Sequence, residues 1–176
     1  MPGPMLAFAI GAAAFFAAMS FACAAETCFH VCLKAKMTAS DIDDQGIRDL
    51  MAQCRDDCDE ETEARLKEQG LSDKIAACAP QPLDDAELKK IRSGSPSVVA
   101  FANAFTWDVN NVLSDKIIRR VEIATQSLSL QDVTITGTGF VAPGESGTFF
   151  MNNVADGYPS LRVTSRIKAI YACPAD

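Results

Sequence analysis

Seven cysteines and a single histidine are the residues best suited to chemistry in this 176-residue chain. Cys28 and Cys32 are spaced i, i+4, and so are Cys54 and Cys58, so on a helix each pair projects from one face, one turn apart. Thiols so placed can form disulfides, bind a soft metal ion, or exchange disulfides with a partner. His30 sits between the first two cysteines but falls roughly 160–200° around a helix from them, which takes it out of a shared ligand set. Structural disulfides are therefore the leading reading, with metal binding and redox exchange as the alternatives.

Parity selects the participants. Setting Cys23 aside leaves Cys28, Cys32, Cys54, Cys58, Cys78 and Cys173, an even set that allows 15 connectivities. If the two Cys-x3-Cys helices run antiparallel, Cys28 meets Cys58 and Cys32 meets Cys54 at matching heights. Cys78 and Cys173 are then left to pair, closing a loop of about 95 residues. No metal site, cofactor or catalytic residue is expected.

These pairings require two helices. The second is expected from about Ser40 to Gln69: Ser40-Asp41-Ile42-Asp43 resembles a capping box, and Ile47, Leu50, Met51, Cys54 and Cys58 follow a helical stripe. Asp56, Asp57, Asp59, Glu60, Glu61 and Glu63 are expected on its solvated face, since they lack the glycine spacing of a calcium loop. Gly70 stands where a left-handed residue ends a helix, with Leu71 behind it as the hydrophobic contact. The first arm, about Glu26 to Met37, is short, and Val31 and Ala35 are its expected apolar stripe beside the cysteines. The segment 71–95 is expected as a connector of two short helical turns around Pro80 and Pro82, capped by Ser72 and by Asp84 to Glu87.

Residues 1–25 carry no charge, and Met5 to Ala25 is almost wholly apolar. Ala22-Cys23-Ala24 fits the pattern a signal peptidase cuts, giving a mature start near Ala25 or Glu26; the run is also long enough to be retained as an anchor. A lipoprotein reading of Cys23 is disfavoured by Ser20 and Phe21. The formal charge of −7 is uneven. Glu26 to Gln69 holds 12 acids and 6 bases, whereas Pro96 to Cys173 holds 6 of each. That excludes nucleic acid as a partner of the first part, and leaves the membrane only through residues 1–25 if they are kept.

From residue 96 the texture becomes β: alternating runs with turns between them. Phe101, Phe105, Trp107 and Val109 are expected on one side of a first strand interrupted at Asn103, with Trp107 in the core or, alternatively, at a contact. Strands are expected over Ile117–Leu128, Leu130–Thr136 and Gly147–Asn152. Turns are expected at Gly137-Thr138-Gly139, at Pro143-Gly144 and around Asp156 to Pro159. In the closing strand Leu161, Val163, Ile167, Ala169, Tyr171 and Cys173 face one way, and Arg162, Thr164, Arg166 and Lys168 the other. The predicted class is α+β: a disulfide-stapled antiparallel helical hairpin (26–70), a connector (71–95) and a small antiparallel β-sandwich of immunoglobulin-like type (96–176).

The twin Cys-x3-Cys pattern over Cys28 to Cys58 resembles the small chaperones of the mitochondrial intermembrane space, which implies a stapled hairpin of the same connectivity. The order Trp107-Asp108-Val109-Asn110-Asn111, Arg119-Arg120-Val121-Glu122-Ile123, Ala142-Pro143-Gly144-Glu145-Ser146 is similar to bacterial envelope sandwiches of the FxLYD type, although Phe140-Val141 lacks that family's tyrosine. This resemblance implies a domain that binds or spaces other proteins. The sequence holds no nucleophile elbow, phosphate loop, zinc signature or dinucleotide fingerprint, and an enzyme is not expected. The expected function is a non-catalytic interaction protein, periplasmic or secreted or, alternatively, anchored in the inner membrane facing the periplasm as an accessory subunit of a bacterial membrane complex, with unidentified protein partners. Arg162, Arg166 and Lys168 are its candidate contact stripe. The alternatives are a periplasmic thiol-redox or copper-handling protein, and a holdase for hydrophobic segments.

Overall fold

A computed structural model describes residues 26–38, 42–126, 132–152 and 165–175. The chain is α+β. Helix α1 (Cys28–Lys36) and helix α2 (Asp44–Glu68) form an antiparallel hairpin, followed by α3 (Ser72–Ala77), β1 (Gln81–Pro82) and α4 (Asp85–Gly94). Among the described residues six further strands follow: β2 (Val99–Phe101), β3 (Ala104–Asn110), β4 (Lys116–Gln126), β5 (Asp132–Val141), β6 (Ser146–Asn152) and β7 (Arg166–Pro174). With β1 they make two antiparallel sheets, ordered β1-β7-β4-β5 and β2-β3-β6.

The ends of α2 follow from local chemistry. Asp43, not Ser40, caps it, accepting from the Gly46 amide at 2.8 Å; Ser40 and Asp41 lie outside the described residues. At the other end Gly70 adopts φ +76, which a side chain would resist. That conformation lets the Leu71 amide reach Leu66 O (3.0 Å) and the Gly70 amide reach Lys67 O (3.0 Å), the double closure of a Schellman end. In the connector, Asp84 and Glu87 form the expected capping box of α4. Ser72 does not cap: it is already the first residue of α3. Lys116 and Glu87 form an ion pair joining α4 to β4, and this hydrogen bond holds the ammonium above the usual lysine range.

Between the sheets lies a core of Phe105, Trp107, Val109, Ile118, Val121, Ile123, Phe149, Met151, Ile167 and Ile170, with Ile91 of α4 packed into it. A second cluster joins the hairpin to the outer face of the three-stranded sheet: Phe29, Ile47, Met51 and Cys54 pack on Ala104 and Phe150. Phe29 is 2% exposed, whereas Val31, expected in the stripe, is 53% exposed. The hairpin therefore buries an aromatic anchor worth about 1.5–3 kcal/mol in addition to its bridges. Leu66, Ile75, Ile117 and Ala142 form a third cluster where α2 and α3 meet the four-stranded sheet.

Three expectations about the strands are corrected. The first predicted strand is a hairpin: Phe101 pairs with Ala104 across Ala102 and Asn103, whose φ angles of 49 and 58 suit a two-residue turn of the right twist. Alanine in that region costs about 1 kcal/mol. The turn is held from outside by Arg48 Nη1, which donates to Ala102 O at 3.0 Å. Phe101 consequently does not share a face with Phe105; it is 48% exposed. Second, Gly137-Thr138-Gly139 is not a turn but strand. A Cβ at Gly137 would stand 2.7 Å from Met151 Cγ, and one at Gly139 would stand 3.2 Å from both Asp59 Oδ1 and Phe149 Cε1, so both glycines serve close approach inside β5. Third, the alternation of β7 slips. Its pairing with β4 shifts between Glu122 and Ile123 and again between Ile118 and Arg120. Ile170 and Ala172 therefore enter the core, and Tyr171 turns outward with Ala169 only half-buried. The expected turn at Pro143-Gly144 is present, with Gly144 at φ +73 and the Glu145 amide donating to Ala142 O at 3.1 Å. Leu128, Leu130, Asp156 to Pro159, Leu161, Arg162, Val163 and Thr164 lie outside the described residues.

Candidate functional site

All six cysteines of the described residues are bonded: Cys28 to Cys58, Cys32 to Cys54 and Cys78 to Cys173, with Cα separations of 5.9, 5.6 and 5.9 Å. The first two bridges staple α1 to α2 at two heights, and the third ties the connector to β7. Three disulfides fit an oxidising environment outside the cytoplasm. Cys54 is fully buried, while Cys28 is exposed with a Glu61 carboxylate oxygen 3.7 Å from its sulfur. Among the described residues no three side chains of His, Cys, Asp or Glu converge as a metal set.

The hairpin meets the sheet through polar groups as well as apolar ones. His30 Nε2 lies 2.9 and 3.0 Å from the two carboxylate oxygens of Asp108 on β3. A carboxylate only accepts, so the imidazole donates through Nε2. The Thr148 hydroxyl donates to the same carboxylate at 2.7 Å and accepts from the Thr27 hydroxyl at 2.6 Å, so the chain Thr27–Thr148–Asp108–His30 runs from the entry of α1 across β6 to β3. No spacing rule marks this network. Strand alternation places Asp108 on the face opposite Trp107, but nothing in the sequence says that a helix covers that face.

Asp59 departs most from expectation. It was predicted on the solvated face of α2 with Asp56, Asp57, Glu60, Glu61 and Glu63, yet it is half-buried against β5 and accepts from the Phe140 amide at 3.2 Å. It sits seven residues before Leu66, two helical turns away on the same face, so extending the apolar stripe to Leu66 would have found it. Burial lifts its carboxyl to about 6; the Phe140 amide, Arg55 and Arg119 offset only part of that cost, and Asp56 adds to it. Asp59 lines a small cavity of about 50 Å³ with the Cys28–Cys58 bridge, Thr62, Arg65 and Glu145. Arg65 closes one side, pairing with Glu145 at 2.9 Å.

The predicted contact stripe lies on the outer face of the four-stranded sheet. Arg166 and Lys168 are exposed there; Arg162 lies outside the described residues. Lys168 donates to Thr134 at 3.0 Å and stands 3.8 Å from Glu122. Because of the slip in β7, Tyr171 joins this face, with the Arg120 guanidinium 3.5 Å above its ring. Arg119 covers Phe140 in the same way at 3.8 Å, and desolvation lowers its pKa. Thr134, Thr136 and Thr138 present a row of exposed hydroxyls from β5. Trp107 is in the core, 2% exposed. Among the described residues no helix is long and apolar enough to cross a membrane.

Comparison with protein-family models, with curated proteins and with solved structures finds no match to this chain.

Proposed function

We propose that this protein is a non-catalytic interaction protein of the bacterial periplasm, exported by residues 1–25 and built as a stapled hairpin clamped on an immunoglobulin-like sandwich. A role as accessory subunit of a membrane complex suits the retained form of that segment. One observation carries the reading: among the described residues the histidine and the cysteines are already bonded to partners within the chain. His30, Asp108, Thr148 and Thr27 bond one another, and the cysteines are bonded in pairs. What faces outward is recognition surface: the acidic ridge of α2 and the Arg166, Lys168 and threonine face of the four-stranded sheet.

The thiol-redox alternative has less support. A thiolate at Cys28 would form beside the Glu61 carboxylate, 3.7 Å from its sulfur, and a nearby carboxylate disfavours it. The test is site-specific photo-crosslinking of the full chain in its envelope, with the reactive residue placed at Lys168 or at Glu60. A discrete adduct of defined mass from either face is the expected result. Background labelling from both faces, together with a thiol-reactive Cys28, would move the function to disulfide exchange.

A further inference from the structure

The chain leaves α4 through Ser95, Pro96 and Ser97 and passes over Trp107, whose Nε1 donates to Pro96 O at 2.9 Å. Facing this crossing is the start of β7, Ser165 to Ile167. Between them opens a cleft of about 210 Å³. Arg92, from the last turn of α4, and Arg166, from β7, line it with Ser95, Ser97 and Ser165. No acidic side chain lines it, in a chain with 23 acids and 16 bases. Among the described residues neither guanidinium has an ion-pair or hydrogen-bond partner. Asp132 lines the neighbouring cleft that Arg166 also borders, but forms no salt bridge with it. A cation in a last helical turn is ordinary. A second one brought to the same serine-lined cleft by a strand distant in sequence is a matched arrangement.

We propose that this cleft binds a tetrahedral oxyanion, a phosphate or sulfate group presented free or as a monoester, with Arg92 and Arg166 contacting it and the three serines donating to its oxygens. Guanidinium forks suit such anions geometrically. Ser95 Oγ accepts from the Asn110 amide at 3.1 Å, which leaves its own proton to donate into the cleft. Two forks and three hydroxyls offer more donors than the two oxygens of a carboxylate can use, whereas a tetrahedral anion uses them. The cleft is several times the about 30 Å³ share of one water, so a substituent fits beside the anion.

Trp107 is the chain's single tryptophan and borders the cleft, so its fluorescence reports occupancy directly. The disulfide-bonded full chain is titrated with inorganic phosphate, sulfate, glycerol 3-phosphate and acetate. The expected result is a saturable change with the tetrahedral anions and none with acetate, weakened at least about tenfold by Arg92→Gln and by Arg166→Gln and unchanged by Arg120→Gln. Tighter binding of glycerol 3-phosphate than of phosphate assigns the site to an esterified group, and Arg92-dependent sedimentation with phosphatidylglycerol vesicles assigns it to a lipid headgroup. The proposal is overturned by no saturable response up to on the order of 10 mM phosphate, by an equal response to acetate, or by binding that survives both substitutions. Both arginines are exposed, and circular dichroism of each variant checks that the fold is intact.

Discussion

At Asp59 the fold holds a carboxyl whose proton is kept more firmly in the native state than in the unfolded one. Its native value is about 6, against a usual 3.8. The stability linked to this group is therefore fully present below about pH 4 and declines as pH rises toward 6. Asp59→Asn keeps an acceptor for the Phe140 amide and removes the decline. Urea unfolding should show the variant about 1–2 kcal/mol more stable than the parent at pH 8, a figure reduced because the side chain keeps part of its water, and nearly equal at pH 4. Phe29 provides a second test at this scale. Phe29→Ala should cost about 3–5 kcal/mol and Val31→Ala under about 0.5, measured in the same way. In α1 periodicity alone gave both residues the wrong weight: in an arm so short, the stripe is too brief to say which face meets the sheet. The disulfide pairs were legible because an i, i+4 spacing on two antiparallel helices leaves few ways to pair. The Asp108 network was not, because it depends on where a helix lands.

Among the elements, β5 shows how a local rule yields to packing. Its Gly-Thr-Gly run has the composition of a turn, yet the glycines are there because Met151, Phe149 and Asp59 come too close for a Cβ. Gly139→Ala should therefore cost about 1–3 kcal/mol through displacement of Asp59 and Phe149. Thermal unfolding checks it: a loss under about 0.5 kcal/mol would contradict the close approach. The β2–β3 hairpin carries the opposite lesson. Ala102-Asn103 lacks the Asn-Gly signature of its turn type because Arg48 from α2 holds it from outside, a contact no window of sequence contains. The slip in β7 likewise comes from pairing with β4, and strict alternation could not register it. Capping and end signals at Asp84 and Gly70, by contrast, are local and were readable directly.

Across the whole molecule, the hairpin and the two sheets share two apolar clusters and a line of polar bonds, so α2 cannot leave without exposing the outer face of the three-stranded sheet. Helical circular dichroism and the fluorescence of Trp107, buried in the sandwich, should consequently report a single coincident transition under urea; two separated midpoints would show that the parts unfold independently. In the proposed function the six bonded cysteines are structural and the protein works through its surfaces. The most direct test is to recover the full chain from the envelope, block thiols at once, and map the six positions by mass without reduction. Structural disulfides leave no label at Cys28, Cys32, Cys54, Cys58, Cys78 or Cys173, each appearing only after reduction. Label at Cys28 and Cys58 in the freshly recovered protein would contradict it and identify a bridge that turns over.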